Sequence, residues 1–307
     1  MTEPAVPGIK LTPTACAVCE TFGNAAEMYP PTYDDASFNE RIFSARRLPD
    51  AIHYRIVRCN RCGLVRSDPA ADQATLSGLY ERSTFDYGSE VPNLRRTYAR
   101  YLAKAQAGAP GRSYLEIGCG NGFMLEEALA RGYETVRGVE PSRGAVEAAS
   151  PSIRDRIVVD IMRPGLFGPG EFDTACMFQV FDHLPQPGAL LDQIHTVLTR
   201  RGVLLCFNHN VNALSARVLG ERSPIVDIEH CYLYSPETMK LMLERHGFEV
   251  LEVGPASNTL SLRHLLHLLP GPPRMKRGLT AIAQRLRVAQ LSMRMSLGNL
   301  YIVGRRS

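Results

Sequence analysis

A strand, a glycine turn and a helix start follow one another in residues 114–122, and this run constrains the fold more than any other part of the chain. An apolar strand leads into Gly118, Gly120 and Gly122, and a helix-like segment covers residues 123–130. Glycine lets the backbone turn sharply and approach a ligand closely, and a helix start offers unpaired N–H groups to a carboxylate or phosphate. The run therefore predicts a site for a nucleotide-like ligand.

Strand-like and helix-like segments alternate from residue 113 onward. This alternation predicts an α/β fold, with a parallel sheet covered by helices on both faces. The strands are predicted at residues 114–117, 134–139, 156–159, 172–178, 202–207, 248–253 and 299–303.

The spacing G-x-G-x-G, with Glu116 two residues before Gly118, resembles motif I of the class I S-adenosylmethionine-dependent methyltransferases. Glu140 ends the next strand, where that family binds both hydroxyls of the cofactor ribose. Because NAD ribose is held by a similar acid, Glu140 alone does not exclude a dehydrogenase. Residues 178–184, Phe-Gln-Val-Phe-Asp-His-Leu, resemble the family's segment after the fourth strand and favour a methyltransferase.

This resemblance implies a Rossmann-like, seven-stranded methyltransferase sheet with an antiparallel seventh strand, and S-adenosyl-L-methionine as the cofactor. Asp160 follows the third strand, where the family often places an acid that accepts a hydrogen bond from adenine. An ordinary turn role is the alternative for this residue. The resemblance places cofactor binding at Glu116, Gly118, Cys119, Gly120, Gly122, Glu140, Asp160 and Gln179.

Two C-x-x-C pairs precede this core, Cys16 with Cys19 and Cys59 with Cys62. Four thiolates form the closed ligand set of a structural, tetrahedral Zn²⁺ site. Disulfides are disfavoured in the reducing compartment expected here, and unpaired core cysteines rarely occur as two such pairs. The sequence therefore predicts a small N-terminal zinc-binding domain with no open coordination position for catalysis.

Zinc pairs before a methyltransferase core give a second resemblance, which covers residues 15–254. The chain is similar to the zinc-binding class I methyltransferases of bacterial sugar and natural-product pathways. This implies a small-molecule or glycan acceptor, with methylation of a hydroxyl of a sugar, glycan or glycosylated metabolite. The deoxysugar members carry another C-terminal domain that has no match in these residues, so their catalytic assignments do not transfer.

A sugar hydroxyl must lose its proton as it attacks a methyl group, so we expect a general base. The candidates are Asp182, His183, His209 and His230, which lie at predicted strand ends or in the insertions between elements. Histidine titrates near pH ~6.5 and can accept a proton at neutral pH. We select His183 and His230 as the catalytic residues, with a structural role as the alternative for each.

Residues 253–307 contain nine basic side chains and no acidic ones. Six apolar residues recur there at helical spacing: Leu279, Ile282, Ala283, Leu286, Ala289 and Met293. A basic amphipathic helix can lie on a membrane or hold a polyanion. Ordinary packing against the core, with arginines in solvent, is the first expectation, and peripheral membrane contact is the alternative.

No apolar run approaches the ~18 residues of a membrane span, and residues 1–10 lack the pattern of a signal peptide. We therefore expect a cytoplasmic enzyme. One rival function is an RNA base methyltransferase, although the Asn/Asp-Pro-Pro-Tyr/Phe sequence of many nucleobase enzymes is missing, which argues against nucleic acid. Another rival is a catalytically silent, zinc-dependent interaction module, against which the complete glycine motif argues.

These features divide the chain into four predicted regions. Residues 1–72 form the zinc-binding segment, and residues 73–111 form a helical linker and lid that contains Tyr80, Phe85 and Tyr87. The remaining regions are the cofactor-binding core, residues 112–254, and a basic C-terminal insertion with the last strand, residues 255–307.

Overall fold

A computed structural model describes residues 10–34, 51–82, 90–108, 111–268 and 272–307. In these residues the strands form one seven-stranded sheet, one four-stranded sheet and one two-stranded sheet. The strands are β1 (Leu11–Thr12), β2 (Ala25–Tyr29), β3 (Ile56–Cys59), β4 (Val65–Ser67), β5 (Ala70–Ala71), β6 (Ser113–Ile117), β7 (Thr135–Val139), β8 (Ile157–Val158), β9 (Phe172–Phe178), β10 (Leu198–His209), β11 (Tyr232–Leu233), β12 (Phe248–Ser261) and β13 (Ser292–Arg306).

Helices cover both faces of the largest sheet. The second, third and fourth helices supply one apolar layer, and the sixth and eighth supply the opposite one. The helices are α1 (Gln73–Arg82), α2 (Val91–Gly108), α3 (Phe123–Ala130), α4 (Arg143–Glu147), α5 (Pro151–Arg154), α6 (Pro187–Val197), α7 (Leu214–Leu219), α8 (Pro236–Arg245), α9 (Leu262–Leu268) and α10 (Pro273–Arg285), with 3₁₀ turns at Phe181–His183 and Gly220–Arg222.

The seven-stranded sheet has the order β12-β13-β10-β9-β6-β7-β8. The pairs β6–β7, β7–β8, β6–β9 and β9–β10 are parallel, whereas β13 is antiparallel to both β10 and β12. This arrangement confirms the predicted α/β sheet with a reversed seventh strand. The carboxyl ends of β6, β7, β9 and β10 lie along one side of the sheet, which we call the carboxyl edge.

Strands β12 and β13 extend far beyond their predicted ranges, residues 248–253 and 299–303. The predicted ranges for these two strands are therefore too short. The extra pairing is stabilised from α2, since Arg100 donates to the hydroxyl of Thr259 over 2.8 Å and Thr97 accepts from the Thr259 N–H over 2.8 Å. A strand is usually recognised in a sequence by apolar alternation. Here contacts with α2 stabilise the added strand pairing, and such contacts leave no local pattern in the sequence.

The added part of this hairpin projects past the carboxyl edge. Asn299 pairs with His209, the last residue of β10, and also with Ala256 in β12. Because β12 runs in the same direction as β10, its later residues lie beyond the end of β10. Helices α9 and α10 connect the two strands there, and we call residues 257–297 the C-terminal extension.

The apolar face predicted for the last helix packs only in part. Ala283 of α10 and Ala289 after it are buried, as the expectation of packing requires, whereas Leu279, Ile282 and Leu286 are exposed, as is Met293 at the start of β13. The expectation of ordinary core packing is therefore wrong for these four side chains. The physical reason is position, because the faces of the central sheet are already covered by other helices.

The N-terminal strands build a sheet that depends on the rest of the chain. Strands β2, β3 and β4 form a four-stranded sheet with β11, which comes from residues 232–233. Side chains of this region, including Tyr54 and Leu64, share a core with Met177 and Phe181 next to the central sheet. The N-terminal segment that carries the four predicted zinc ligands, which we call the zinc segment, therefore packs directly on the central sheet.

The described part of the predicted helical lid contains α1 and α2, with Tyr80 in α1. Phe85 and Tyr87 lie outside the described residues. None of the described helices combines the length and the apolar character that crossing a membrane would need.

Candidate active site

The glycine turn follows β6 at the carboxyl edge. Gly118, Gly120 and Gly122 have left-handed φ angles of 69°, 55° and 72°. The N–H of Gly118 donates to the carbonyl of Val139 over 2.8 Å, which ties the turn to β7. A Cβ atom on Gly118 would lie 2.4 Å from Cγ2 of Val180. Both the backbone angle and the close approach therefore require glycine at position 118.

Glu140 joins the end of β7 to this turn. Its Oε2 atom accepts from the N–H of Gly120 over 2.9 Å, and Oε1 accepts from the N–H of Ser142 over 2.9 Å. Burial raises the pKa of Glu140, while these two hydrogen bonds act in the opposite direction. An ionised carboxylate has about four acceptor sites, so Glu140 keeps sites for donors of a ligand.

Glu116 supplies a second buried carboxylate beneath the turn. It accepts a hydrogen bond from the hydroxyl of Tyr114 over 3.3 Å. Burial raises the pKa of Glu116 well above its usual range, and the charge of Glu140 raises it further, against the hydrogen bond from Tyr114. A cation bound beside Glu116 would favour its ionised form because opposite charges offset both effects.

Two amide oxygens at the same edge, Asn121 Oδ1 and Gln179 Oε1, are buried and have no hydrogen-bond partner among the described residues. Gln179 also has a φ of 60°, which is uncommon for a residue other than glycine. Its N–H donates to the carbonyl of Phe207 over 2.7 Å and holds the end of β9 against β10. Buried amide oxygens normally accept a hydrogen bond, so these two suit a ligand with donor groups.

The side chains of Cys119 and Asp160, unlike the unpartnered amide oxygens, are engaged with neighbouring residues of the protein. Cys119 is buried, and a Cβ on Gly138 would lie 2.5 Å from its Sγ, so its side chain fills space next to β7. The Asp160 carboxylate accepts from the N–H of Ile161 over 2.8 Å and pairs with Nε of Arg163 over 2.8 Å. Both partners belong to the turn of Asp160 itself.

Asp182 lies at the centre of a group of three histidines. Its carboxylate is fully buried, and Oδ2 is 2.6 Å from Nδ1 of His209. Oδ1 is 3.8 Å from Nε2 of His183, and Oδ2 is 4.0 Å from Nε2 of His230. The ring centroid of His230 is 4.7 Å from that of His183 and 4.6 Å from that of His209. We call these four residues the histidine cluster.

Burial and charge set the protonation of the histidine cluster. Burial alone would raise the pKa of Asp182, but the charge and hydrogen bond of His209 hold this pKa far below its usual range. Burial lowers the pKa of His183, and it lowers the pKa of His230 more strongly, with the neighbouring histidines adding to the effect. Asp182 is therefore ionised and His183 and His230 are neutral near pH ~7.

Contacts at Nδ1 orient two of the rings. Nδ1 of His230 lies 2.9 Å from the carbonyl oxygen of Ile225. Because a carbonyl only accepts, this nitrogen carries the proton, and Nε2 of neutral His230 keeps a lone pair. Nδ1 of His183 lies 3.1 Å from the hydroxyl of Tyr80 in α1. His230 thus presents an acceptor nitrogen toward Asp182, and His183 is tied to the helix that follows the zinc segment.

The chain around His230 is held from two sides. The hydroxyl of Ser67, in β4, donates to the carbonyl of His230 over 2.8 Å, and the Ser67 N–H donates to the carbonyl of Cys231 over 3.0 Å. The N–H of Cys231 donates to the carbonyl of Asp182 over 2.9 Å. The position of His230 therefore depends on the sheet of the zinc segment.

Sulfur atoms from the two C-x-x-C pairs come together at the N-terminal end of the fold. Sγ of Cys16 is 3.4 Å from Sγ of Cys62, and Sγ of Cys59 is 3.9 Å from Sγ of Cys19. All four sulfur atoms lie within 4.8 Å of one another. Zn–S bonds of ~2.3 Å in a tetrahedron place sulfur atoms about 3.8 Å apart, so the four thiols fit this ion.

The sequence named all four members of the histidine cluster as candidates but selected only His183 and His230. It gave no role to Tyr114, the hydrogen-bond donor to Glu116, or to Ser142, which donates its N–H to Glu140. The signal for Ser142 was available, since Ser142 caps α4 directly after the strand-ending Glu-Pro pair. The central position of Asp182 had no local signal because its partners come from distant elements.

Comparison with known proteins places the central part of the chain in a family. The family of methyltransferase domains matches residues 90–253. The ubiquinone biosynthesis O-methyltransferase of Psychrobacter arcticus is 29% identical over 125 residues, which cover 38% of this chain and 48% of the relative. The enzyme of the same description from Paracidovorax citrulli is 28% identical over 221 residues, which cover 65% of this chain and 90% of the relative.

For the relatives from Psychrobacter and Paraburkholderia, the chain spans about half of their length, between 48% and 53%. Among solved structures, an S-adenosylmethionine-dependent methyltransferase from Archaeoglobus fulgidus has a TM-score of 0.48 and 16% identity, covering 76% of this chain and 100% of that one. The [4+2]-cyclase SpnF has a TM-score of 0.48 and 17% identity, covering 74% and 83%.

Proposed function

This chain belongs to the family of methyltransferase domains, and we propose that it transfers a methyl group from S-adenosylmethionine to a hydroxyl of a sugar, glycan or glycosylated metabolite. The observation that carries the hydroxyl assignment is the histidine cluster at the carboxyl edge, next to the glycine turn. Such a hydroxyl is a weak acid and needs a base, and a group of one buried carboxylate and three histidines is suited to supply it.

The glycine turn and its two carboxylates support the cofactor assignment. The ammonium and sulfonium groups of S-adenosylmethionine are cations, and a cation beside Glu116 would offset the burial that raises its pKa and favour its ionised form. Glu140 has acceptor sites left for the two ribose hydroxyls after its bonds to the turn. The unpartnered oxygens of Asn121 and Gln179 would accept further donors of the bound cofactor.

The cofactor supplies a methyl group on a positively charged sulfur, whose departure as a neutral thioether needs no acid. The protein then has to orient the acceptor and remove its proton. His230 is the base in this proposal, because its Nδ1 proton is committed to Ile225 and its Nε2 lone pair is available. The Asp182 carboxylate would stabilise the imidazolium that forms when His230 takes the proton.

The other two histidines are positioning residues in this proposal. His209 donates to Asp182 over 2.6 Å and fixes the carboxylate that faces His230. His183, bonded to Tyr80, packs against the His230 ring and limits its rotation. Both interactions keep the base oriented before the acceptor binds, which is a common source of rate enhancement.

The four-cysteine cluster would hold Zn²⁺ as a structural ion through Cys16, Cys19, Cys59 and Cys62. Four sulfur ligands leave no coordination position for water or acceptor, so no chemical step involves this site. Its effect on catalysis would be indirect, through the sheet that holds the backbone of His230.

The proposal is tested by incubating the zinc-loaded protein with methyl-labelled S-adenosylmethionine and three fractions: nucleotide sugars with other small metabolites, glycolipid with polysaccharide, and RNA. We expect label in a sugar-containing fraction and in an ether bond to oxygen, located by mass spectrometry. The negative control is Glu140→Ala, which should weaken cofactor binding about a hundredfold by calorimetry, since two hydrogen bonds to a carboxylate are lost.

Label confined to RNA would replace the acceptor assignment while keeping the cofactor assignment. Measurable cofactor binding without label in any fraction would contradict the acceptor class. Failure to bind the cofactor would instead support the catalytically silent interaction module. Each outcome therefore separates one part of the proposal from the others.

A second candidate acceptor is a phenolic hydroxyl, because the relatives from Psychrobacter and Paracidovorax are described as ubiquinone biosynthesis O-methyltransferases. A phenol ionises near pH ~10, as tyrosine does, and depends less on a base than a sugar hydroxyl. Assays of a catechol and of the labelled sugar fraction in parallel discriminate the two. Faster methylation of the catechol, with little loss in His230→Asn, would favour the phenol.

A further inference from the structure

The C-terminal extension carries an exposed apolar stripe. Met275, Leu279, Ile282 and Leu286 are 43%, 38%, 57% and 66% exposed. Their spacing of four, three and four residues places them on one side of α10, since an α-helix has about 3.6 residues per turn. Ala283, on the adjoining side, is buried and attaches the helix to the protein. The stripe is therefore a second face of α10, separate from the one that packs.

Arginines surround this stripe. By the same helical spacing, Arg274 and Arg285 lie beside it on the side away from Ala283, and both are exposed. Among the residues that the structure describes, no ion pair involves Arg274, Arg277 or Arg285. Residues 253–307 contain no acidic side chain, so the extension itself contributes only basic charges next to the stripe.

Hydrogen bonds within the C-terminal extension and one to α2 hold it in place. The N–H of Leu262 donates to the carbonyl of Leu291, and the N–H of Arg263 donates to the carbonyl of Ala289, each over 2.9 Å. The hydroxyl of Ser292 donates to Asn93 of α2 over 2.8 Å. Because the extension projects from the carboxyl edge, α10 lies on the same side of the sheet as the glycine turn and the histidine cluster.

We propose that α10 docks the protein on an anionic lipid surface, with its apolar stripe between the acyl chains and its arginines at the headgroups. Lipid fits both observations together, because apolar side chains enter the membrane interface while arginine side chains reach anionic headgroups. A nucleic acid would use the positive charge but leave Ile282 and Leu286 in water. A second copy of the same surface would bring like charges together.

The test is co-sedimentation of the whole 307-residue chain, loaded with zinc, with vesicles of phosphatidylcholine alone or with 30% phosphatidylglycerol, a composition chosen to supply about one anionic lipid in three. We expect binding to the anionic vesicles that weakens as salt is raised. Ile282→Ser with Leu286→Ser should lower the partition coefficient at least about tenfold. Arg274→Gln with Arg285→Gln should lower it about thirtyfold at low salt.

Two matched controls separate this surface from exposed residues in general. Leu241→Ser removes a leucine of α8 that is 41% exposed, and Arg200→Gln with Arg201→Gln removes two exposed arginines where β10 begins, at the opposite edge. Both should bind vesicles like the original protein, and circular dichroism checks that every variant is folded. The proposal would be overturned if the α10 variants bound vesicles as well as the unsubstituted protein, or if the unsubstituted protein did not bind vesicles. It would also be overturned if the protein self-associated and Ile282→Ser with Leu286→Ser abolished that self-association, because the stripe would then contact a second copy.

Discussion

Two regions of the carboxyl edge are built from different parts of the chain. The glycine turn is made of backbone, with three left-handed glycines and amide groups bonded to Glu140 and Val139. The histidine cluster is made of side chains from the turn after β9, the end of β10 and the loop before β11. The glycine turn therefore tolerates little increase in side-chain size. In the histidine cluster, by contrast, each substitution alters one chemical group.

The two regions also depend on different neighbours. The glycine turn is supported by β6, β7 and Val180, all within the central sheet or directly after one of its strands. The backbone of His230 is supported by Ser67, and thereby by the zinc segment. We therefore expect the cofactor region and the proposed acceptor region to respond separately to substitution, and four experiments test this expectation.

The largest effect is expected at the proposed base. His230→Asn removes the acceptor Nε2 but retains a donor side chain, and we expect kcat to fall about a thousandfold, as for loss of a general base. The dissociation constant of S-adenosylmethionine, measured by calorimetry, should change less than about twofold, because the glycine turn is untouched. A much larger fall in kcat for His209→Asn than for His230→Asn would contradict the assignment of the base.

Gly118→Ala tests the opposite region. The new Cβ would lie 2.4 Å from Val180, on a backbone with φ of 69°, so the turn must move. We expect cofactor affinity to fall about a hundredfold by calorimetry, with the strained backbone alone costing ~1–2 kcal/mol. The matched control is Gly132→Ala, where φ is 93° but nothing lies within 4 Å of the new Cβ. Similar affinity losses in both variants would mean that contact with Val180 is unimportant.

Removal of zinc should act mainly on the acceptor region. We expect a chelator, or Cys62→Ser, to lower kcat about tenfold, because the sheet that holds His230 loses its metal crosslink. Cofactor affinity should fall less than kcat, and zinc content is followed by metal analysis. The control is zinc added back to the chelated protein, which should restore kcat. Equal losses of affinity and turnover would show that the regions are coupled.

The smallest effect is on stability as a function of pH. Burial lowers the pKa of His183 and His230, so the unfolded chain binds protons below pH ~6.5 that the folded chain does not. Their contribution to the free energy of unfolding is therefore present above pH ~6.5 and lost below it. The loss is up to about 1.4 kcal/mol per pH unit for each histidine. Denaturation at pH ~7.5 and ~5.5 should reveal a shallower dependence in His183→Asn with His230→Asn.

In the cofactor region, Glu116 contributes a pH dependence of stability with the opposite sign. Its pKa is raised by burial, so its contribution is present below its unfolded pKa and lost as pH rises through the folded one. Glu116→Gln should therefore increase stability at pH ~7.5 relative to pH ~5.5. A parallel change in both variants would mean that other groups dominate the pH dependence.

Local chemistry explains which parts could be predicted from the sequence. The strand ranges near Gly118 and Glu140, and the C-x-x-C pairs, are set by residues close together in the chain. The extension of β12 was missed because Arg100 and Thr97 of α2 stabilise it from a distance. The bond between His209 and Asp182 was missed for the same reason, since it joins the ends of β9 and β10.

The place of β11 in the four-stranded sheet has a consequence for the assembly of the chain. Strand β4 lies between β3 and β11, and β11 is formed by residues 232–233. A fragment that ends near residue 72 would leave one side of β4 with unpaired N–H and C=O groups, an edge on which other chains can add strands. The sheet of the zinc segment is therefore completed only once residues 232–233 have been synthesised.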